Sequence, residues 1–173
     1  MGSGGAPRGA VQPGCDREEG IAHLQRAQAH HRHDCVLRAG GGGHVDGSGR
    51  VLIGLGHDLQ AVHELESVEG LREPGVFFTQ AELAHFARAS SPHESLAAGF
   101  SAKEALFKAL PPVDGWFWTD AELHHDARHA PRFEFHGALR EHAEREGWHT
   151  LLSLSHSGGF VSTVVVVTLT PRP

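Results

Sequence analysis

Residues 150–170, "TLLSLSHSGGFVSTVVVVTLT", constrain the fold of this chain more than any other stretch. Apolar and small polar residues alternate up to a Gly158-Gly159 pair, and a β-branched run follows it. A strand repeats every two residues, so two such arms around paired glycines read as an antiparallel β-hairpin. In the first arm Leu152, Leu154 and His156 share one face, while Ser153, Ser155 and Ser157 share the other. A sheet with one apolar face needs a cover.

Helical periods supply it. "TQAELAHFARA" (79–89) opens with Thr79 as N-cap and Glu82 three residues on, a capping box. "PHESLAAGFSAKEALFKAL" (92–110) is a second helix, stopped by Pro111 and Pro112. "AVHELESVEGL" (61–71) is a shorter helical candidate, and "ALREHAEREG" (138–147) has helical composition. "VLIGLGHDL" (51–59) is a β-type run, and the segments around "WFWTDAELHH" and "RFEFHGAL" alternate like strands. Helices mixed with antiparallel hairpins give an α+β class, an antiparallel sheet packed on helices.

At 173 residues the chain is long enough for one ordinary core. Residues 1–50 hold 12 of its 22 glycines and show no sustained apolar period. They read as a Gly/His-rich segment, disordered or loosely packed, ahead of a folded domain at 51–173. A helix over "EEGIAHLQRAQAHHRHDCVLR" would have only a thin apolar stripe. The His30, His31, His33 and Cys35 cluster has ligand-type residues without a second pair at zinc-site spacing, so a metal-handling protein is a lesser alternative. Cys15 and Cys35 alone cannot build a disulfide framework and read as free thiols. A net charge of -6 without a basic block argues against a nucleic-acid partner. No apolar run reaches the roughly 20 residues of a membrane helix. "MGSGGAPRGA" lacks the apolar core of a secretory signal, so a cytoplasmic location is expected.

Three stretches can carry chemistry. In "GLGHD", Gly54, Gly56 and Asp58 lie on one strand face, and the glycines leave room for a helix backbone or a bulky ligand beside a carboxylate. Alternatively Asp58 caps the segment that follows. In "FSAKEALFK", Glu104 and Lys108 are helix neighbours, with Phe100 one turn earlier, and Ala98, Ala102, Ala105 and Ala109 form a small-residue face. An exposed ion pair of about 0.2–0.5 kcal/mol is one reading. A carboxylate flanked by Lys103 and Lys108, arranged for a divalent cation and a phosphate-bearing substrate, is the other. In "LSLSHSGG", His156 either reaches a ligand beside the free N–H groups of the turn or bonds a nearby carbonyl. Ser155 and His156 point to opposite faces and do not make a nucleophile and base.

In order, "LIGLGHDL", "FFTQAEL", "FSAKEALFKAL" and "SLSHSGGF" resemble the phosphopantetheinyl transferases, particularly the short holo-[acyl-carrier-protein] synthase type. The likeness runs from about 51 to 167 and is most specific at Phe100, Ser101, Lys103, Glu104, Ala105 and Lys108, with Gly56 and Asp58 on the strand. It implies a magnesium-dependent transfer of the 4′-phosphopantetheine arm of coenzyme A to a serine of an apo acyl or peptidyl carrier protein, releasing adenosine 3′,5′-bisphosphate. Asp58 and Glu104 match the metal ligands, and Glu104, Lys108 and Asp58 the catalytic set. Lys103, Lys108, Ser155 and His156 match the coenzyme A contacts. The short type is usually a homotrimer with coenzyme A bound across each subunit boundary. A non-catalytic module binding carrier protein or coenzyme A is the alternative, and its signature would be loss of Asp58, Glu104 or Lys108; all three are present.

The chain departs from the pattern in places. Gly99 stands where arginine is common, Ala61 where a Glu is usual, and Gln60 where larger members carry an acid. "AVHELESVEGLREP" sets Glu64, Glu66, Glu69 and Glu73 against Arg72 where the type carries arginines for an acidic carrier. A less acidic carrier is expected.

Overall fold

A computed structural model describes residues 49–171. The N-terminal reading, with its His30, His31, His33 and Cys35 cluster and all but the last residues of the 1–50 segment, lies outside them. Three strands form the main sheet: β1 (Val51–Ala61), β4 (Trp148–Ser157) and β5 (Phe160–Leu169). The last two are the hairpin expected from the alternation, turned at Gly158 and Gly159 with φ of 59° and 80°. Its order is β1-β5-β4, antiparallel throughout, with Asp58 opposite Thr163 and Ser155 opposite Ser162. β2 (Ala121–His125) and β3 (Pro131–Phe135) form a separate hairpin.

Helix α1 (Gln80–Arg88) begins at the expected capping box: Glu82 N donates to Thr79 Oγ1 at 3.1 Å and Thr79 N to Glu82 Oε2 at 2.8 Å. Helix α2 (Pro92–Ala109) carries the Lys-Glu pair and ends before Pro111. Helix α3 (Gly137–Glu146) stops at Gly147 in the left-handed conformation. Ala105, Leu106 and Ala109 of α2 join Val165 and Val167 of β5, Leu139 of α3 and Ala121 of β2 in one core.

Residues 61–71 do not make the α-helix their composition favours. β1 continues to Ala61, and two 3₁₀ turns follow at Val62–Leu65 and Glu69–Arg72. The apolar residues Val62, Leu65, Val68 and Leu71 recur every third position, and three residues per turn is 3₁₀ geometry. The "WFWTDAELHH" run is likewise strand only from Ala121, after a 3₁₀ turn at Trp118–Asp120. Among the described residues no helix is long and apolar enough to cross a membrane.

How α2 lies on the sheet positions everything else. A Cβ on Gly54 would sit 1.8 Å from the carbonyl oxygen of Ala109, and one on Gly56 would sit 1.9 Å from that of Ala105. The glycine row therefore receives a helix backbone, one of the two guests that row allowed. Each step of two along β1 matches four along α2, because about 6.6 Å of strand and 6 Å of helix are nearly equal. Continuing that register brings Asp58 level with Ser101.

Candidate active site

Asp58 ends the glycine row, 9% exposed, on the face covered by α2. Lys108 reaches back to it, donating to Asp58 Oδ1 at 2.8 Å and to the carbonyl of His57 at 3.2 Å. Two of the ammonium's three protons are thereby used. Glu104, 8% exposed, lies one turn from Lys108 on the same helix. The structure thus joins Asp58 and Lys108 across β1 and α2, with Glu104 buried one helical turn before Lys108.

Asp58 Oδ2, Thr163 Oγ1 and Ser101 Oγ are buried without a hydrogen-bond partner. Thr163 faces Asp58 across the ladder, and Ser101 is a buried residue of α2. Buried polar atoms are normally paired, so Asp58 Oδ2 and Thr163 Oγ1 on facing residues suit a polar or charged guest. Among the described residues no group of three or more His, Cys, Asp or Glu side chains gathers to hold a metal. Mg²⁺ does not require one: it takes one or two carboxylates and fills its octahedron with water and substrate phosphate. Asp58, with its buried and unpaired Oδ2, suits the part of one such carboxylate.

Lys103 corrects the expectation drawn from its neighbourhood in the motif. Its side chain is fully enclosed and donates to Glu82 Oε2 at 2.8 Å and to the carbonyls of Phe77 at 2.9 Å and Trp118 at 3.0 Å. Three donors meet three acceptors, so none is left for a coenzyme A phosphate. Burial holds the ammonium below its ordinary range, against the pull of Glu82. The sequence signals Glu82 only as half of a capping box; its second task joins residues 21 apart.

The hairpin residues stand elsewhere in the protomer. Ser155 lies on the sheet face turned away from α2, opposite Ser162, whose Oγ is 3.0 Å from His57 Nε2. His156 is on strand β4, separated from β1 by β5, with Nδ1 3.0 Å from Glu94 Oε1 at the start of α2. The single chain therefore does not bring Ser155 and His156 to Asp58, because β5 lies between the two strands. Gln60 turns its amide to the carbonyl of Ala61 and to Glu64 Oε2, at 2.9 and 3.0 Å. Gly99 faces α1: a Cβ there would lie 2.4 Å from Phe86 Cζ, which leaves no room for an arginine as the rings stand.

Comparison with known proteins gives the class. The 4′-phosphopantetheinyl transferase superfamily matches residues 54–165, and the chain belongs to that family. It is 38% identical over 122 residues to the holo-[acyl-carrier-protein] synthase of Streptomyces coelicolor, covering 66% of this chain and 96% of that protein. It is also 38% identical over 117 residues to the synthase of Cutibacterium acnes, covering 67% and 97%. The fold matches the crystal structure of the Neisseria meningitidis holo-[acyl-carrier-protein] synthase with a TM-score of 0.56 at 28% identity, over 65% of this chain and 95% of that one. The ACPS-CoA complex of Chronobacterium ammoniagenes matches with a TM-score of 0.55 at 27% identity, over 68% and 97%.

Proposed function

We propose that this protein transfers the 4′-phosphopantetheine arm of coenzyme A to a serine of an apo carrier protein, with Mg²⁺ at Asp58 and Glu104. The observation that carries the reading is the Lys108–Asp58 pair across β1 and α2, one helical turn from the buried Glu104, with Asp58 Oδ2 left unpaired. The serine oxygen attacks the pantetheine-side phosphorus of the pyrophosphate, the bond to adenosine 3′,5′-bisphosphate breaks, and the serine proton passes to Glu104 or to a water beside it. Lys108 turns its remaining proton to the pyrophosphate and offsets the charge that gathers on the leaving group. Bound Mg²⁺ supplies Lewis-acid stabilisation of those same oxygens.

Ser155 and His156 contribute from a neighbouring subunit in this reading, as coenzyme A contacts across the boundary of a homotrimer. The sheet face turned away from α2 supports an assembly: Leu59 and Leu151 are each 62% exposed and Val164 is 37% exposed at its centre. Such a patch on a sheet is unusual without a partner. The double variant Leu59→Lys/Leu151→Glu is expected to sediment as a monomer and to lose most of its transfer activity. A parent protein that already sediments as a monomer contradicts the trimer, and a double variant that stays assembled removes this face from its interface.

Glu64, Glu66, Glu69 and Glu73 are all exposed on the turns that leave β1 just past Asp58, with Arg72 the lone cation among them. A carrier delivering its serine to Asp58 approaches this acidic rim, and like charges there slow association. The protein is therefore expected to modify a neutral or basic carrier faster than a strongly acidic one at low salt, with the difference shrinking at high salt.

The deciding experiment incubates the protein with coenzyme A, Mg²⁺ and apo carriers of differing charge and weighs the products. Magnesium-dependent mass gain on a carrier serine supports the reading. Absence of gain on every carrier, with coenzyme A still bound, favours a binding module.

A further inference from the structure

Lys103 and Glu82 form an ion pair with both side chains fully enclosed. Enclosed ion pairs rarely stabilise a fold relative to apolar residues of the same volume. This one is nevertheless completely satisfied. Lys103 binds Glu82 and the carbonyls of Phe77 and Trp118, and Glu82 also accepts from Thr79 N at 2.8 Å and from Leu123 N at 2.9 Å. One lysine on α2 thus ties together the segment before α1, α1 itself, the turn before β2, and β2.

The tie acts on rings that flank the site. Phe77 stacks on Phe100 at 5.0 Å and on Trp118 at 4.5 Å, and Trp118 lies 5.6 Å from Phe107. Phe100 is one turn before Glu104 and Phe107 nearly one turn after it. At about 100° per residue, Lys103, Phe100 and Phe107 occupy one flank of α2, and Ser101, Ala105 and Ala109 the flank that meets β1. Glu104 and Lys108 stand between. The β1 flank is clamped by the glycine contacts; the other is clamped by Lys103.

We propose that Lys103 is a positioning residue: through Glu82 and the two carbonyls it fixes the roll of α2 about its axis, and with it the placement of the Glu104 carboxylate against Asp58. This rests on the proposed function, for its kinetic arm through the transfer reaction and for its Mn²⁺ arm through the Asp58–Glu104 metal site. Misplacement of about 1 Å is worth a hundredfold in rate.

The test compares Lys103→Met with Lys103→Met/Glu82→Gln. The single variant leaves Glu82 enclosed without its cation and lowers the melting temperature; the double variant removes both charges at similar volume and recovers it. In the refolded double variant, kcat falls about a hundredfold while KM for coenzyme A stays within about twofold, and Mn²⁺ binding followed by electron spin resonance weakens about tenfold. Parent kcat and parent Mn²⁺ affinity in that variant overturn the proposal. So does a raised KM at unchanged kcat, which would mean that Lys103 touches the substrate. If the double variant does not fold, Lys103→Arg carries the test: a planar guanidinium cannot reproduce three tetrahedral bonds, and the same losses are expected. Should the parent transfer nothing to any carrier yet bind Mn²⁺, the transfer reading fails and the Mn²⁺ measurement still decides this one; a parent that binds no Mn²⁺ overturns both.

Discussion

Replacing Glu104 by glutamine is expected to lower the rate of phosphopantetheine transfer by about a thousandfold or more, with the fold intact. The substitution keeps the size of the side chain and removes one charge from the proposed site, where Asp58 Oδ2 is already unpaired. In the proposed site a single remaining carboxylate, itself bonded to Lys108 at 2.8 Å, would hold a divalent ion poorly and would leave the serine proton only a water to accept it. Time-resolved mass measurement of the carrier gives the rate, and circular dichroism shows whether the helices persist. Raising Mg²⁺ should recover part of the loss, because binding of the ion is weakened along with the proton transfer. Parent activity in a folded Glu104→Gln protein would remove Glu104 from the chemistry and with it the proposed site.

Gly56→Ala is expected to destabilise the fold by more than about 3 kcal/mol, read as a shift of the urea midpoint. The new methyl would lie 1.9 Å from the Ala105 oxygen and 2.8 Å from the Ala109 nitrogen. Both are backbone atoms of α2, so no rotamer change relieves the overlap. The helix must lift from β1, carrying Lys108 away from Asp58. Gly158→Ala is the contrast: nothing lies within 4 Å of a Cβ there, and only the φ of 59° opposes it, at about 1 kcal/mol. A Gly56→Ala protein as stable as the parent would mean that α2 does not rest on the glycine row.

Much of this architecture is legible in the amino-acid order itself. Thr79 and Glu82 mark the start of α1 by their spacing, and Gly158-Gly159 marks the hairpin, because both signals act within a few residues. Gly54, Gly56 and the alanines of α2 announce a close strand-helix contact, since each side lacks bulk. The fate of Lys103 is not legible, because its acceptors come from residues 77, 82 and 118, and only tertiary folding brings them together. The faces of Ser155 and His156 follow from a period of two, but their distance from Asp58 depends on strand order, which alternation does not encode. Residues 62–71 mislead because acidic and apolar residues suit an α-helix in composition, while their three-residue repeat suits another geometry.

The placement of β5 has a consequence for biogenesis. It is the central strand, and it pairs with β1 across more than a hundred residues, Val51 meeting Leu169. While a ribosome is still reading the codons for β5, neither β1 nor β4 has a neighbour to zip against, and the glycine row waits with its carbonyls bare. Sheet assembly is therefore a long-range event that waits for β5, slower than the closure of the local helices.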